Sequence, residues 1–212
     1  MRLGRVRAIV PAMTPWGLVA VAYVLLGAAA AWLAEGVRGQ SAIILNRSLL
    51  QFSNVAGAHL FSGLLGLVVG ALVVLSTRVM VRKLGFARRL HMDLRPLALS
   101  LSLVMLLVLA ISSAVGEELL FRGLLLPWIG LWPQALVFGF LHQTGGSSRW
   151  VWMLWATAMG VVLGGMYQLT GSLVGPVITH ALVNALNLAF LKSYDPSPER
   201  RDLGGLLGQP RG

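Results

Sequence analysis

The sequence predicts an all-α protein, a polytopic transmembrane helical bundle of about six membrane segments with one short or re-entrant. Three observations carry that expectation. Hydrophobic residues make up 57% of the 212-residue chain and charged residues only 11%, roughly half the charged fraction of a soluble domain. Long apolar stretches with few charges mean that lipid faces most of the surface. The basic residues behind the formal net charge of +10 cluster beside the apolar stretches. That is the pattern of positive-inside anchoring against anionic lipid, so membrane lipid is the expected partner and nucleic acid is not. The chain has no cysteine, which excludes disulfides and thiolate metal sites.

The elements follow in order. An apolar run at 16–34 comes after Arg2, Arg5 and Arg7. A cleaved signal peptide has an apolar region of only about 7–15 residues, so this run is read as an uncleaved first span. Residues 35–53 are mixed and polar, with a short apolar stretch at 42–45, and form an exterior loop with an interfacial turn. The second span, 55–76, is rich in Gly and Ala, which suits close helix packing. Arg78, Arg82, Lys83, Arg88, Arg89 and Arg95 then mark a cytoplasmic loop. Two spans separate this loop from the N-terminal arginines, so both basic regions fall on one side.

A third segment starts near Pro96, a residue suited to a first helical turn, and continues to Pro127 and Gly130. A short fourth segment occupies 131–142, a polar loop 143–148, a fifth segment 149–169 and a sixth 172–191, with Thr170 and Gly171 as a turn. The tail is charged and rich in Pro and Gly, hence expected to be disordered and cytoplasmic. The organisation is therefore two spans and a basic loop at 1–95, a membrane core at 96–192 and a tail at 193–212. No repeat and no second domain is visible.

Chemistry is concentrated in the core. Between Leu97 and Leu191 the only acids are Glu117 and Glu118 and the only Arg or Lys residues are Arg122 and Arg149. A charge at a span centre costs about 2.5–3.5 kcal/mol on insertion scales, so two carboxylates there need a reason. An ion-pair staple accounts for Glu118, which stands at i, i+4 to Arg122. It does not account for Glu117, which points about a hundred degrees away on a helix of 3.6 residues per turn. One Arg cannot neutralise two carboxylates, so Glu117 is protonated, meets water or meets other polar groups. His142 ends the fourth segment, four residues after Phe138, while His180 and Asn184 share one face of the sixth. For His59 and His91 an ordinary interhelical hydrogen bond suffices.

Depth points the same way. Glu117 lies ten residues before Pro127, His142 eleven after Leu131 and His180 nine after Gly171. At 1.5 Å per residue these are about 15, 16 and 13 Å from one side, with Asn184 about one turn deeper, near the middle of a ~30 Å core. The fourth segment rises only about 18 Å. The loop 143–148 must then dip into the protein beside a water-filled cavity that opens to the cytoplasmic side and ends at Glu117. A buried carboxylate beside a His can activate water by general-base catalysis, and a second His with an Asn can stabilise an oxyanion. Together these parts hydrolyse an amide.

The residues also resemble a known family. Glu117-Glu118-Leu119-Leu120-Phe121-Arg122 matches an EExxxR motif, Phe138 to His142 an FxxxH motif and His180 to Asn184 an HxxxN motif. Three such motifs, in this order within apolar helices, resemble the CAAX-processing and bacteriocin-processing (CPBP, or Abi) intramembrane endopeptidases over about residues 97–191. The resemblance implies an all-helical membrane protease of glutamate type. Glu117 and His142 would activate water, His180 and Asn184 would form the oxyanion hole, and Glu118, Arg122 and Phe138 would support them. It implies no metal. The alternative is a zinc enzyme using Glu117, His142 and His180, a His₂Glu donor set. The implied substrate is a peptide or protein with a membrane-embedded or lipidated segment, such as a leader peptide or the sorting segment of an exported protein in a myxosortase-type branch. The expected location is a prokaryotic plasma membrane with both termini cytoplasmic. A non-catalytic immunity or scaffold protein that binds peptide or lipid is the competing reading, and a small transporter or proton relay ranks third, since no inverted repeat is visible.

Overall fold

The computed structural model describes residues 15–39, 41, 48–143 and 146–197. The expected turn at 42–45, the N-terminal arginines and most of the tail lie outside them. Among the described residues the chain is helical throughout, with no strand. α1 is Pro15–Arg38, α2 Val55–Lys83, α3 Gly85–Leu99 and α4 Leu103–Glu118. α4 continues without a break through a π-helical stretch, Leu119–Leu125, into the short α5, Leu126–Ile129. α6 is Leu131–Leu141, α7 Arg149–Thr170 and α8 Val174–Ser193. Five helical stretches are long and apolar enough to cross a membrane, and Leu131–Leu141 is a shorter apolar helix.

Local chemistry sets most boundaries. Pro15 opens α1, where its missing N–H costs nothing. The Asn54 side chain accepts from the Gly57 N–H at 2.7 Å and starts α2. Gly171, with φ of 68°, closes α7 in the left-handed conformation that Gly tolerates best.

Two expectations need correction. The third span begins at Leu103, not at Pro96, because Ser102 caps a new helix by accepting from the Met105 N–H at 3.2 Å. Pro96 instead lies inside α3, so the 95/96 boundary falls within a helix. The basic stretch read as a loop is also helical. Arg78, Arg82 and Lys83 sit on the last turns of α2, where cations oppose the helix dipole. Arg88, Arg89 and Arg95 lie on the amphipathic α3, which buries Ala87, His91 and Ala98. A helix periodicity was hidden there by the density of charge.

Packing brings α4 and α8 to the centre. α2 lies along α8, α6 along α7, and α1 and α8 along α4. Without water between them, transmembrane helices associate through close packing of small residues and through hydrogen bonds. At the α2–α8 contact a Cβ on Gly66 would stand 2.5 Å from the Gly175 carbonyl oxygen. Around it, the Thr179 hydroxyl donates to the Gly66 carbonyl at 2.9 Å and the Gly175 N–H to the Ser62 hydroxyl at 3.0 Å. Both clashing atoms are backbone, so nothing can yield. Gly66→Ala should therefore destabilise the bundle by about 1–3 kcal/mol, the usual cost of overpacking. An unfolding midpoint in detergent equal to that of the parent would contradict this contact.

His59 and His91 make the ordinary contacts expected of them. His59 Nδ1 lies 2.7 Å from the Ser172 hydroxyl. His91 donates through Nε2 to the Tyr194 carbonyl at 3.0 Å, tying α3 to the end of α8.

Candidate functional site

Where α4 passes into the π-helical stretch, the two adjacent carboxylates part company. Glu118 turns into the protein and is fully buried, as is Arg122. Glu117 is also buried but lines a cavity of about 630 Å³. π-helical turns are rare and collect at functional sites. This one, Leu119–Leu125, starts immediately after the acidic pair.

Glu118 has two partners. Its Oε1 accepts from Arg122 Nη1 at 2.8 Å, the pairing that the i, i+4 spacing suggests, and from His180 Nδ1 at 2.7 Å. The second contact joins residues 62 apart in sequence. Arg122 also donates to the Gly160 carbonyl at 3.4 Å and stacks 4.5 Å from the Phe138 ring centroid. A buried guanidinium is tolerable when its charge is paired and its planar face is covered. Gln134 shares the Gly160 carbonyl at 3.0 Å.

The imidazoles are aimed. His142 stands just past the end of α6, and its Nδ1 donates to the Phe138 carbonyl at 2.7 Å. In the neutral ring that leaves a lone pair on Nε2. Phe138 also packs its ring 4.3 Å from that of His142 and 6.0 Å from that of His180. With Nδ1 of each ring committed, the two Nε2 atoms point at one place. His142 Nε2 lies 3.7 Å, and His180 Nε2 3.8 Å, from Glu117 Oε2. These separations exceed a direct hydrogen bond. Glu117 Oε2 is buried and has no hydrogen-bond partner.

Asn184 lies one turn beyond His180 on α8 and lines the same cavity as Glu117, His142 and His180. Its Nδ2 donates to the Ser113 hydroxyl at 3.1 Å, which occupies one of the two amide protons. The other walls of the cavity are largely apolar. Val81 of α2, Leu94 of α3, Trp155 of α7 and Leu188 of α8 are among them, and the lining reaches His91 near the Arg-rich ends of α2 and α3. Thus Glu117, His142, His180 and Asn184, drawn from three segments of the chain, line one cavity. Of the polar loop that follows His142, Ser148 is buried, and Gly146 packs against Asp93 of α3.

A tetrahedral zinc with bonds of about 2.0–2.1 Å brings its donors to about 3.3 Å of one another. The Glu117, His142 and His180 donors are wider apart, at 3.7 and 3.8 Å. Among the described residues no group of three His, Asp or Glu side chains has the arrangement of a metal site.

Two contributors carry no signal in the motifs. Ser113 accepts from Asn184, and the Tyr23 side chain of α1 lines the cavity beside Glu117. Hydroxyls in apolar helices are common, so composition alone does not single them out.

Comparison with known proteins gives two matches. Residues 99–186 match the family described as "Type II CAAX prenyl endopeptidase Rce1-like". A stretch of 81 residues is 38% identical to "Uncharacterized protein YpbD" of Bacillus subtilis (strain 168), covering 38% of this chain. The matched stretch covers 42% of that relative's length. No solved structure gives a significant match. The matched segment contains all three motifs and the centre of the bundle, and the five apolar helices make the chain an integral membrane protein. Over residues 99–186, less than half of the chain, the sequence is similar to the Rce1-like family, the CAAX-protease grouping that its motifs resemble.

Proposed function

We propose that the chain is an intramembrane endopeptidase of glutamate type. One observation carries the reading: the unpartnered Oε2 of Glu117 faces Nε2 of both His142 and His180, at 3.7 and 3.8 Å, inside an apolar cavity. A carboxylate oxygen and an imidazole lone pair directed at one point attract a donor. A water molecule supplies two protons to such a pair, and a polar gap of this width is the usual place for one.

In the proposed reaction that water attacks the scissile carbonyl carbon while Glu117 accepts its proton. The carbonyl π electrons move to oxygen, and the oxyanion takes hydrogen bonds from His180 Nε2–H and from the free amide proton of Asn184. Collapse of the tetrahedral intermediate breaks the C–N bond, and the proton passes from Glu117 to the departing amine. His142 holds the water beside Glu117. Donation from Nε2 requires His180 to carry a proton on each nitrogen, since its Nδ1 donates to Glu118 at 2.7 Å. Glu118 then acts on His180 as the buried Asp of a hydrolase triad acts on its His.

The cavity volume of about 630 Å³ falls in the range of small-molecule and peptide sites. Its apolar walls suit a substrate with a lipidated or membrane-embedded segment beside the scissile bond. The positive-inside rule supports reading the Arg-rich ends of α2 and α3, the end of α8 that packs against α3 and, with α6 counted as a crossing, both termini as cytoplasmic in a prokaryotic plasma membrane. No metal takes part in this scheme. Cleavage of an internally quenched peptide with a farnesylated cysteine followed by three residues should persist after dialysis against a strong chelator. Activity that disappears on chelation and returns with zinc would overturn the metal-free mechanism.

A further inference from the structure

The first span carries no motif and lies outside the segment that matches the family. It nevertheless reaches the site. α1 and α4 pack backbone to backbone: a Cβ on Gly27 would lie 3.1 Å from the Gly116 Cα, and a Cβ on Gly116 would collide with the Tyr23 carbonyl. Gly116 is the neighbour of Glu117, so this close approach sets Tyr23 directly across from the acidic pair. The Tyr23 side chain lines the same cavity as Glu117.

The common explanation of a Tyr in a span is the aromatic belt, in which the hydroxyl reaches water at the membrane surface. Tyr23 does not suit that role. It stands eight residues after Pro15 in a 24-residue helix, about 12 Å along it at 1.5 Å per residue. Its side chain lines the cavity, and α1 contains no Ser or Thr, so this is the helix's one hydroxyl group. A phenol at this position has a plain chemical use. It donates one proton to a carboxylate, carries no charge, and has only two side-chain torsions to fix.

We propose that Tyr23 is a positioning residue of the site: its phenol donates a hydrogen bond to the Glu117 carboxylate and holds the unpartnered Oε2 towards His142 and His180. Without that donor the carboxylate turns freely about its last torsion, and the water it holds loses its line to the scissile carbonyl. The first span is then part of the reaction centre and not only a membrane anchor. This inference rests on Glu117 as the general base.

The test uses the full chain in detergent or proteoliposomes, with the farnesylated quenched peptide as probe and Glu117→Gln as the inactive control. Tyr23→Phe keeps the ring and deletes the donor. Loss of a hydrogen bond to a charged group should lower kcat about 10- to 100-fold and leave KM within about twofold. A second measurement does not need activity. Thermal midpoints of Tyr23→Phe, Glu117→Ala and the double variant form a cycle, in which the Tyr23→Phe effect should vanish once position 117 has no side-chain acceptor. A kcat within twofold of the parent, or midpoint losses that simply add, overturns the assignment. A parent protein that cleaves nothing removes the protease reading, and the cycle still decides whether the Tyr23–Glu117 contact exists.

Discussion

Glu117→Gln should abolish peptide-bond cleavage, by at least about 10²- to 10⁴-fold, while the protein remains folded. The size follows from the role. A positioned general base contributes that much, and a neutral amide cannot take the proton of the attacking water. The substitution is close to isosteric. Gln also offers an N–H donor towards the Nε2 lone pair of His142, 3.7 Å from Glu117 Oε2. It removes a buried carboxylate oxygen that has no hydrogen-bond partner. The thermal midpoint in detergent should therefore equal that of the parent or exceed it. This separates catalysis from binding. A protein that only holds a peptide or lipid in the apolar cavity would tolerate the change, because Glu117 covers a small part of the lining. Retained biological function in a cell whose only copy is Glu117→Gln would favour the non-catalytic reading. Lost function with normal abundance supports hydrolysis.

The bundle was legible because lipid imposes its own demand on sequence: long apolar runs, with charge gathered between them. The ends of segments were harder to read. Pro96 is a good first-turn residue, yet the helix it joins was already running from Gly85. The real start of the third span depends on a single Ser102 side chain accepting from an N–H three residues on. The acidic pair and the two histidines were legible for a related reason, since polar groups in a span are costly and rarely accidental. The hundred-degree divergence of Glu117 and Glu118 followed from helix geometry alone. The contacts that give these residues their orientation were not legible. Glu118 meets His180 across 62 residues, and Tyr23 reaches Glu117 only because Gly27 and Gly116 let two backbones touch. Spacing within a helix encodes its faces. It does not encode which faces of different helices meet.

Arg122→Met should cost about 3–5 kcal/mol of stability, the cost of stranding one member of a buried ion pair. Both side chains of the Arg122–Glu118 pair are fully buried at a separation of 2.8 Å. Removing the guanidinium leaves the Glu118 carboxylate with His180 as its one remaining partner, and its Oε2 already has none. Arg122→Lys should recover only part of the loss. An ammonium can approach Glu118, but it lacks the planar face that lies 4.5 Å from the Phe138 centroid and the fork that reaches the Gly160 carbonyl. Adding Glu118→Gln to Arg122→Met should restore more stability than Lys does, because the stranded charge disappears and methionine fills the space. Activity should not return with it. An amide at 118 cannot balance a doubly protonated His180, so the oxyanion meets a neutral N–H in place of a charge-assisted donor even in a well-folded protein. Denaturant titration in detergent, read beside kcat for the same three variants, would separate the two effects. If stability and activity recovered together in the double variant, Glu118 would be a packing partner of Arg122 and nothing more, and the link from Arg122 through Glu118 to His180 would have no part in the chemistry.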